Sequence, residues 1–166
     1  MEQLVDRLPD EDAVRELVRH LKGAPHDVAL RTIRNVLELD SRPKRIAGLV
    51  IARRVLREEA DILPLLEVGL ARKDVSEVQY WLDMVCSTAG HRRLLKHLLK
   101  LAPNEPEWIV HAWYQLVPMI RTKAPGLAEK LVELQQTTDA ALESKAEDLK
   151  AFWLRTKEAV IWTGSA

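Results

Sequence analysis

From Asp74 to Leu101 the chain reads DVSEVQYWLDMVCSTAG and then HRRLLKHLLKL. These are two amphipathic stretches with a single glycine between them. At 100° per residue, Val75, Val78, Trp81, Leu82, Val85, Cys86 and Ala89 share one face of the first. Glu77, Tyr80, Asp83, Met84 and Ser87 share the other, which is expected to be wet. Asp74, or Ser76 just after it, is suited to cap this helix, because a short side-chain oxygen accepts from the free amides of the first turn. Gly90 supplies the positive-φ residue that ends it. In the second stretch Leu94, Leu95, Leu98 and Leu101 form the apolar stripe, opposite Arg92, Arg93, Lys96, His97 and Lys100. A lone hairpin cannot bury two such stripes, so the chain has to stack several of them.

The flanking sequence supplies the partners. Asp10 caps a first helix with the stripe Val14, Leu17, Val18 and Leu21, closed near Gly23. A second runs from about His26 to Leu39 through Leu30, Ile33, Val36 and Leu37. Ser41 and Pro43 open a third, whose body IAGLVIARRVL is apolar over most of its circumference and is expected to be the most enclosed. Asp61 is expected to cap the fourth, ILPLLEVGLARK, with Pro64 tolerated in its first turn. Beyond the central hairpin, Asn104 is expected to cap EPEWIVHAWYQLVPMIRTK, bent at Pro118. Leu127, Leu131 and Leu134 mark the next helix, weakened at QQTTD. A last helix, 139–162, opens at Thr138 or Asp139 and caps the array, and 163–166 is expected to fray. No stretch alternates as a strand does. The fold class is therefore all-α, an α-solenoid of about eight to nine antiparallel helices stacked as hairpins, forming one domain over 1–166.

The segment ILPLLEVGLARKDVSEVQYWLDMV resembles a HEAT repeat, through Pro64, Leu65, Leu66, Leu70, Asp74, Val78 and Leu82. AVRELVRHLKGAPHDVALRTI is similar through Leu17, Leu21, Asp27 and Val28, and LLKHLLKLAPNEPEWIVHAW looks like a third copy. Two departures stand out. The step from the first copy to the second holds one helix too many, which makes the third helix an insertion or an armadillo-like addition. Gln79 stands where the family usually carries arginine. The resemblance implies a protein-binding platform and no catalytic residue.

Composition sets the remaining bounds. Hydrophobic residues are 47% and charged residues 30%, the range of a chain that folds around a core. No apolar run approaches the ~20 residues of a spanning helix, and no leader pattern is visible, so no membrane partner and a cytoplasmic setting are expected. Lysine plus arginine and aspartate plus glutamate are 25 each, so no global field attracts polyanions. Cys86, the single cysteine, is expected to be a buried, inert thiol. The five histidines do not converge, no nucleophile motif or phosphate loop is present, and neither a metal nor a cofactor is expected.

Two groups remain as binding candidates. Tyr80, Met84, Trp108, His111 and Tyr114 lie off the predicted core faces, where amphipathic aromatics serve as partner anchors or pack against a second helix layer. Arg42, Lys44, Arg45, Arg53, Arg54 and Arg57 are the densest basic cluster, extended by Arg92, Arg93, Lys96 and Lys100. They either pair with Glu58, Glu59 and Asp61 or form a patch for phosphates or an acidic partner. The reading is a non-catalytic scaffold for a protein partner. The alternative is a nucleic-acid-binding domain similar to the HEAT-like DNA glycosylases, with Asp83 beside Tyr80 and Trp81 as its catalytic carboxylate; a small immunity or effector-associated module is a third option.

Overall fold

The computed structural model describes the backbone of residues 1–162 and the side chains of residues 1–160. Among them are ten α-helices and no strand: α1 (Glu2–Asp6), α2 (Glu11–Gly23), α3 (His26–Glu38), α4 (Arg42–Val55), α5 (Glu59–Ala71), α6 (Val78–Thr88), α7 (His91–Leu101), α8 (Pro106–Lys123), α9 (Ala128–Leu142) and α10 (Glu147–Trp162). A 3-10 turn, Pro125–Leu127, leads into α9. The fold is all-α. The expected fraying of 163–166 lies outside the described residues.

Helix ends follow local chemistry, with instructive shifts. Asp10 Oδ1 accepts from the amides of Asp12 and Ala13 at 2.8 and 3.0 Å, as a cap should. Gly90, at φ 81°, separates α6 from α7. Asp61 is not a cap, because α5 opens two residues earlier and places Glu59 and Asp61 together at its positive end. Asp74 does not cap α6 either. Its Oδ1 accepts from the amide and hydroxyl of Ser76 at 3.0 and 2.6 Å, closing a turn, and α6 begins only at Val78. No side chain caps α8, so Asn104 has no such role. The threonines of QQTTD bond back one turn, Thr137 to the Glu133 carbonyl and Thr138 to that of Leu134. Their hydroxyls are satisfied inside the helix, so α9 continues to Leu142 and the last helix starts at Glu147, not at 139.

Packing sorts the helices into two rows. In one row α2, α4, α6, α8 and α10 each touch the next. In the other, α3 touches α5 and α7 touches α9. The densest pairings between rows are α3 with α4 and α5 with α6. The third predicted helix, α4, lies between α2 and α6 in the first row. The two similar segments begin on α2 and α5, which belong to opposite rows.

Three side-chain bonds between distant segments span the same number of residues, while others, such as His97 to Glu67 and Arg45 to Glu77, span 30 and 32. Arg72 donates to the Glu38 carbonyl at 3.0 Å, Arg42 to that of Ser76 at 3.4 Å, and Lys73 to Glu107, each pair 34 residues apart. The core runs continuously between the rows. The most enclosed helix is α8, not α4: Ile109, Val110, Ala112, Trp113, Leu116, Val117 and Ile120 are buried among α5, α6, α7, α9 and α10. On α4, Val50, Arg53 and Arg54 remain exposed. Two mid-helix glycines set the closest approaches. A Cβ on Gly48 would come within 2.8 Å of Val36, and one on Gly69 within 2.2 Å of the Trp81 ring.

Candidate functional site

The five anchor candidates separate by burial. Tyr80 on α6 is 45% exposed and Tyr114 on α8 is 44% exposed. Met84 is buried at 1%, and so is Glu77, although both lie off the apolar stripe. The reason is that α6 is flanked by α4, α5, α7 and α8, so it buries more than one face. Trp108 is half-buried against the core. His111 is half-buried as well. Its Nδ1 donates to the Glu107 carbonyl at 2.7 Å, and its ring lies 5.4 Å from that of Phe152.

The two tyrosines lie on helices of the same row. Ile46, Tyr80 and Tyr114, on α4, α6 and α8, follow one another at the same 34-residue spacing as those three bonds. They mark the outer side of the row that contains α4, α6 and α8. Several grooves open along that row among the described residues, one of about 420 Å³ beside Glu107, His111 and Phe152. The largest, about 520 Å³, lies between α2 and α4 and is lined by Pro9, Val14, Pro43, Ile46, Ala47 and Val50, with Glu11, Arg15 and Arg54 at its rim. A second, about 280 Å³, lies between α4 and α6, with Val50 and Arg53 on one wall and Tyr80 and Asp83 on the other. Met84 contributes to its lining despite being buried. Another, about 250 Å³, lies between α8 and α10 beside His111, Tyr114 and Phe152.

The basic candidates divide too. Arg93 pairs with Glu59 at 3.3 Å. Asp61 is taken by His26, 3.2 Å away. Arg53, Arg54, Arg57, Arg92 and Lys96 are exposed and form no ion pair or hydrogen bond among the described residues. Among the described residues no arginine or lysine of the cluster from Arg42 to Arg57 makes the expected pairing with Glu58, Glu59 or Asp61; only Arg93, from its extension, reaches Glu59. Arg53 and Arg54 stand beside the apolar grooves, so part of the basic group and part of the aromatic group share one surface.

Other chemistry is sparse. Asp83 is bound to Lys123 at 3.3 Å, and Trp81 points into the core against Gly69, away from exposed Tyr80. The three residues of the glycosylase alternative thus do not converge on one pocket. Burial pushes the Cys86 thiol up to about 12, and the charge of Asp83 pushes the same way. Among the described residues no three His, Cys, Asp or Glu side chains gather to hold a metal ion, and no helix is long and apolar enough to cross a membrane.

One interaction was missed from the sequence. Arg45 and Glu77, assigned to a basic cluster and a wet face, meet in the interior and tie α4 to the start of α6. The signal was present: Arg45 is in register with Gly48, Leu49 and Ala52, the buried stripe of α4. The chain matches no protein-family model, no curated protein and no solved structure.

Proposed function

We propose that this chain is a non-catalytic, HEAT-like α-solenoid that binds a protein partner in the cytoplasm, using the outer side of α4, α6 and α8. The observation that carries this reading is the coincidence of two spacings. Three of the long-range side-chain bonds span 34 residues, and Ile46, Tyr80 and Tyr114 are spaced by the same 34 residues on α4, α6 and α8. Two of these are tyrosines left nearly half exposed, a residue type enriched among the hot spots of protein interfaces. Solenoids present extended surfaces of this kind for partners.

The unpaired Arg53, Arg54, Arg57, Arg92 and Lys96 favour a second reading, nucleic-acid binding. Equal totals of acidic and basic residues weigh against it, because phosphate neutralisation dominates such affinity. The test combines affinity capture from the host with a heparin column. Capture of one partner by the wild type, lost in Tyr80→Ala and Tyr114→Ala at unchanged melting temperature, supports the scaffold. Retention on heparin that falls steeply with salt, and capture unaffected by either substitution, supports nucleic acid.

A further inference from the structure

We infer that the two grooves flanking α4 receive an acidic peptide segment of a partner protein, with large apolar side chains seated on either side of Val50 and carboxylates against Arg53, Arg54 and Arg57. This inference rests on the scaffold reading and names the chemistry of what the scaffold would hold.

Val50 is the starting point. It is 39% exposed in the middle of α4, and it walls both the groove toward α2 and the groove toward α6. A β-branched side chain left out of the core between two apolar hollows is a ridge over which a pair of apolar side chains can sit.

The charges give the surface a direction. Lys44 Nζ lies 4.0 Å from Asp6, so the chain leading into α2 sits at the start of α4. Glu11, at the first turn of α2, therefore marks that end. Arg54 is eleven positions beyond Pro43, about 16 Å further along the helix axis. Arg53 and Arg57 extend the same end. Three carboxylates in reach of this face are engaged elsewhere, Asp83 with Lys123, Glu59 with Arg93 and Asp61 with His26, while Glu58 is exposed and pairs with none of the three arginines among the described residues. Three guanidiniums with no acidic partner, beside two apolar hollows, complement a segment that is apolar at one end and acidic at the other. Nucleic acid is the poorer match. It offers phosphates and flat bases, but the groove of about 520 Å³ is lined by Val14, Ile46 and Val50 with no aromatic ring for a base to stack on, and Glu11 and Asp83 stand on the same surface.

The experiment is selection from a random peptide library displayed on phage, with the full chain immobilised, followed by fluorescence anisotropy on the winning peptides. The expected winners combine Leu, Ile, Phe or Trp with adjacent Asp or Glu. Their affinity drops about tenfold or more in Arg53→Ala/Arg54→Ala and in Val50→Lys, and weakens with added salt. All three positions are exposed, so melting temperatures stay at the wild-type value. Winners without acidic enrichment, or winners indifferent to these substitutions but sensitive to Tyr114→Ala, overturn this inference and leave the scaffold reading standing. Failure to select any peptide, with oligonucleotide binding that is lost in Arg53→Ala/Arg54→Ala, overturns both. Dimerisation of the free chain abolished by Val50→Lys would show a second copy on this face and also overturn the inference.

Discussion

The guanidinium of Arg45 holds the Glu77 carboxylate through two hydrogen bonds, 2.5 and 3.1 Å long, where the two side chains are 7% and 1% exposed. Arg45 also donates to the Leu39 carbonyl at 2.7 Å, so one residue fastens the end of α3, the start of α4 and the start of α6. The hydrogen bond to Glu77 holds the Arg45 pKa above its ordinary value. Removing one partner strands a buried charge. Glu77→Ala is expected to cost about 3 to 5 kcal/mol, whereas Arg45→Met/Glu77→Met, which removes both charges and keeps volume, is expected to cost clearly less. Urea denaturation of the three chains decides it. Equal losses for the single and the double variant would mean that the pair contributes packing only.

Gly69 faces the indole of Trp81 so closely that a methyl group there would sit 2.2 Å from the ring. The obstacle is a rigid bicycle that is itself 1% exposed, with no free space to retreat into. Gly69→Ala should therefore destabilise by about 1 to 3 kcal/mol, although alanine is the better helix former. A rise in the urea midpoint would show that α5 and α6 can separate without loss.

How much of this was legible in the sequence depends on which residues are asked. The helices themselves follow from 3.6-residue spacing, and Asp10 and Gly90 act as their chemistry dictates. The exposure of Tyr80 and Tyr114 was also readable, since both lie opposite a full apolar stripe. Met84 and Glu77 lie opposite such a stripe too, yet are buried. Periodicity reports the strongest single face of a helix, while a helix between four neighbours buries several. Only tertiary contact distinguishes Tyr80 from Met84, one turn apart. The shared spacing was hidden for a related reason. Two of the 34-residue bonds run from Arg72 and Arg42 to backbone carbonyls, and backbone partners leave no mark in the sequence. The junction of the last two helices was misplaced because Asp139, a plausible cap, instead accepts from the Trp153 indole at 2.6 Å and from Lys157 at 2.7 Å across the hairpin.

Three carboxylates make stability acid-sensitive. The amide of Ala13 holds Asp10 below its ordinary 3.8, the Ser76 hydroxyl does so for Asp74, and Lys73 holds Glu107 below 4.5. A carboxyl with a lowered folded pKa binds fewer protons in the folded than in the unfolded chain, so its contribution is complete above the ordinary value and disappears as pH falls through the lowered one. The part of the urea midpoint these three supply should be constant above about pH 5 and fall below about pH 4.5. Asp74→Asn should start lower at neutral pH and fall less on acidification. An unchanged acid limb in that variant would exclude Asp74 from the effect.

Cys86 has the opposite sign. With its pKa raised from 9.0 to about 12 by burial, the folded chain keeps the thiol proton where the unfolded chain loses it. Its contribution is therefore present below pH 9.0 and declines above it. At pH 8 the folded chain should react with a disulfide reagent about a thousandfold more slowly than the chain in denaturant, because the thiolate is the nucleophile. Comparable rates in the two states would mean that the thiol is neither buried nor shifted.

The last prediction separates surface from core by two truncations on adjacent helices. Leu98 on α7 is fully buried, and Leu98→Ala should cost about 2 to 5 kcal/mol, as deletion of a leucine side chain from a packed core does. Tyr114 on α8 is a larger residue but is 44% exposed, with its ring over the groove between α8 and α10. Tyr114→Ala should cost less than about 1 kcal/mol of stability, and so should Tyr80→Ala, its counterpart on α6. If the tyrosines are anchors, each truncation should weaken partner binding by about 2 kcal/mol while thermal melting is unchanged. Loss of several degrees in melting temperature from either tyrosine, comparable with Leu98→Ala, would place these rings in the packing between helices and remove the binding surface proposed for this row.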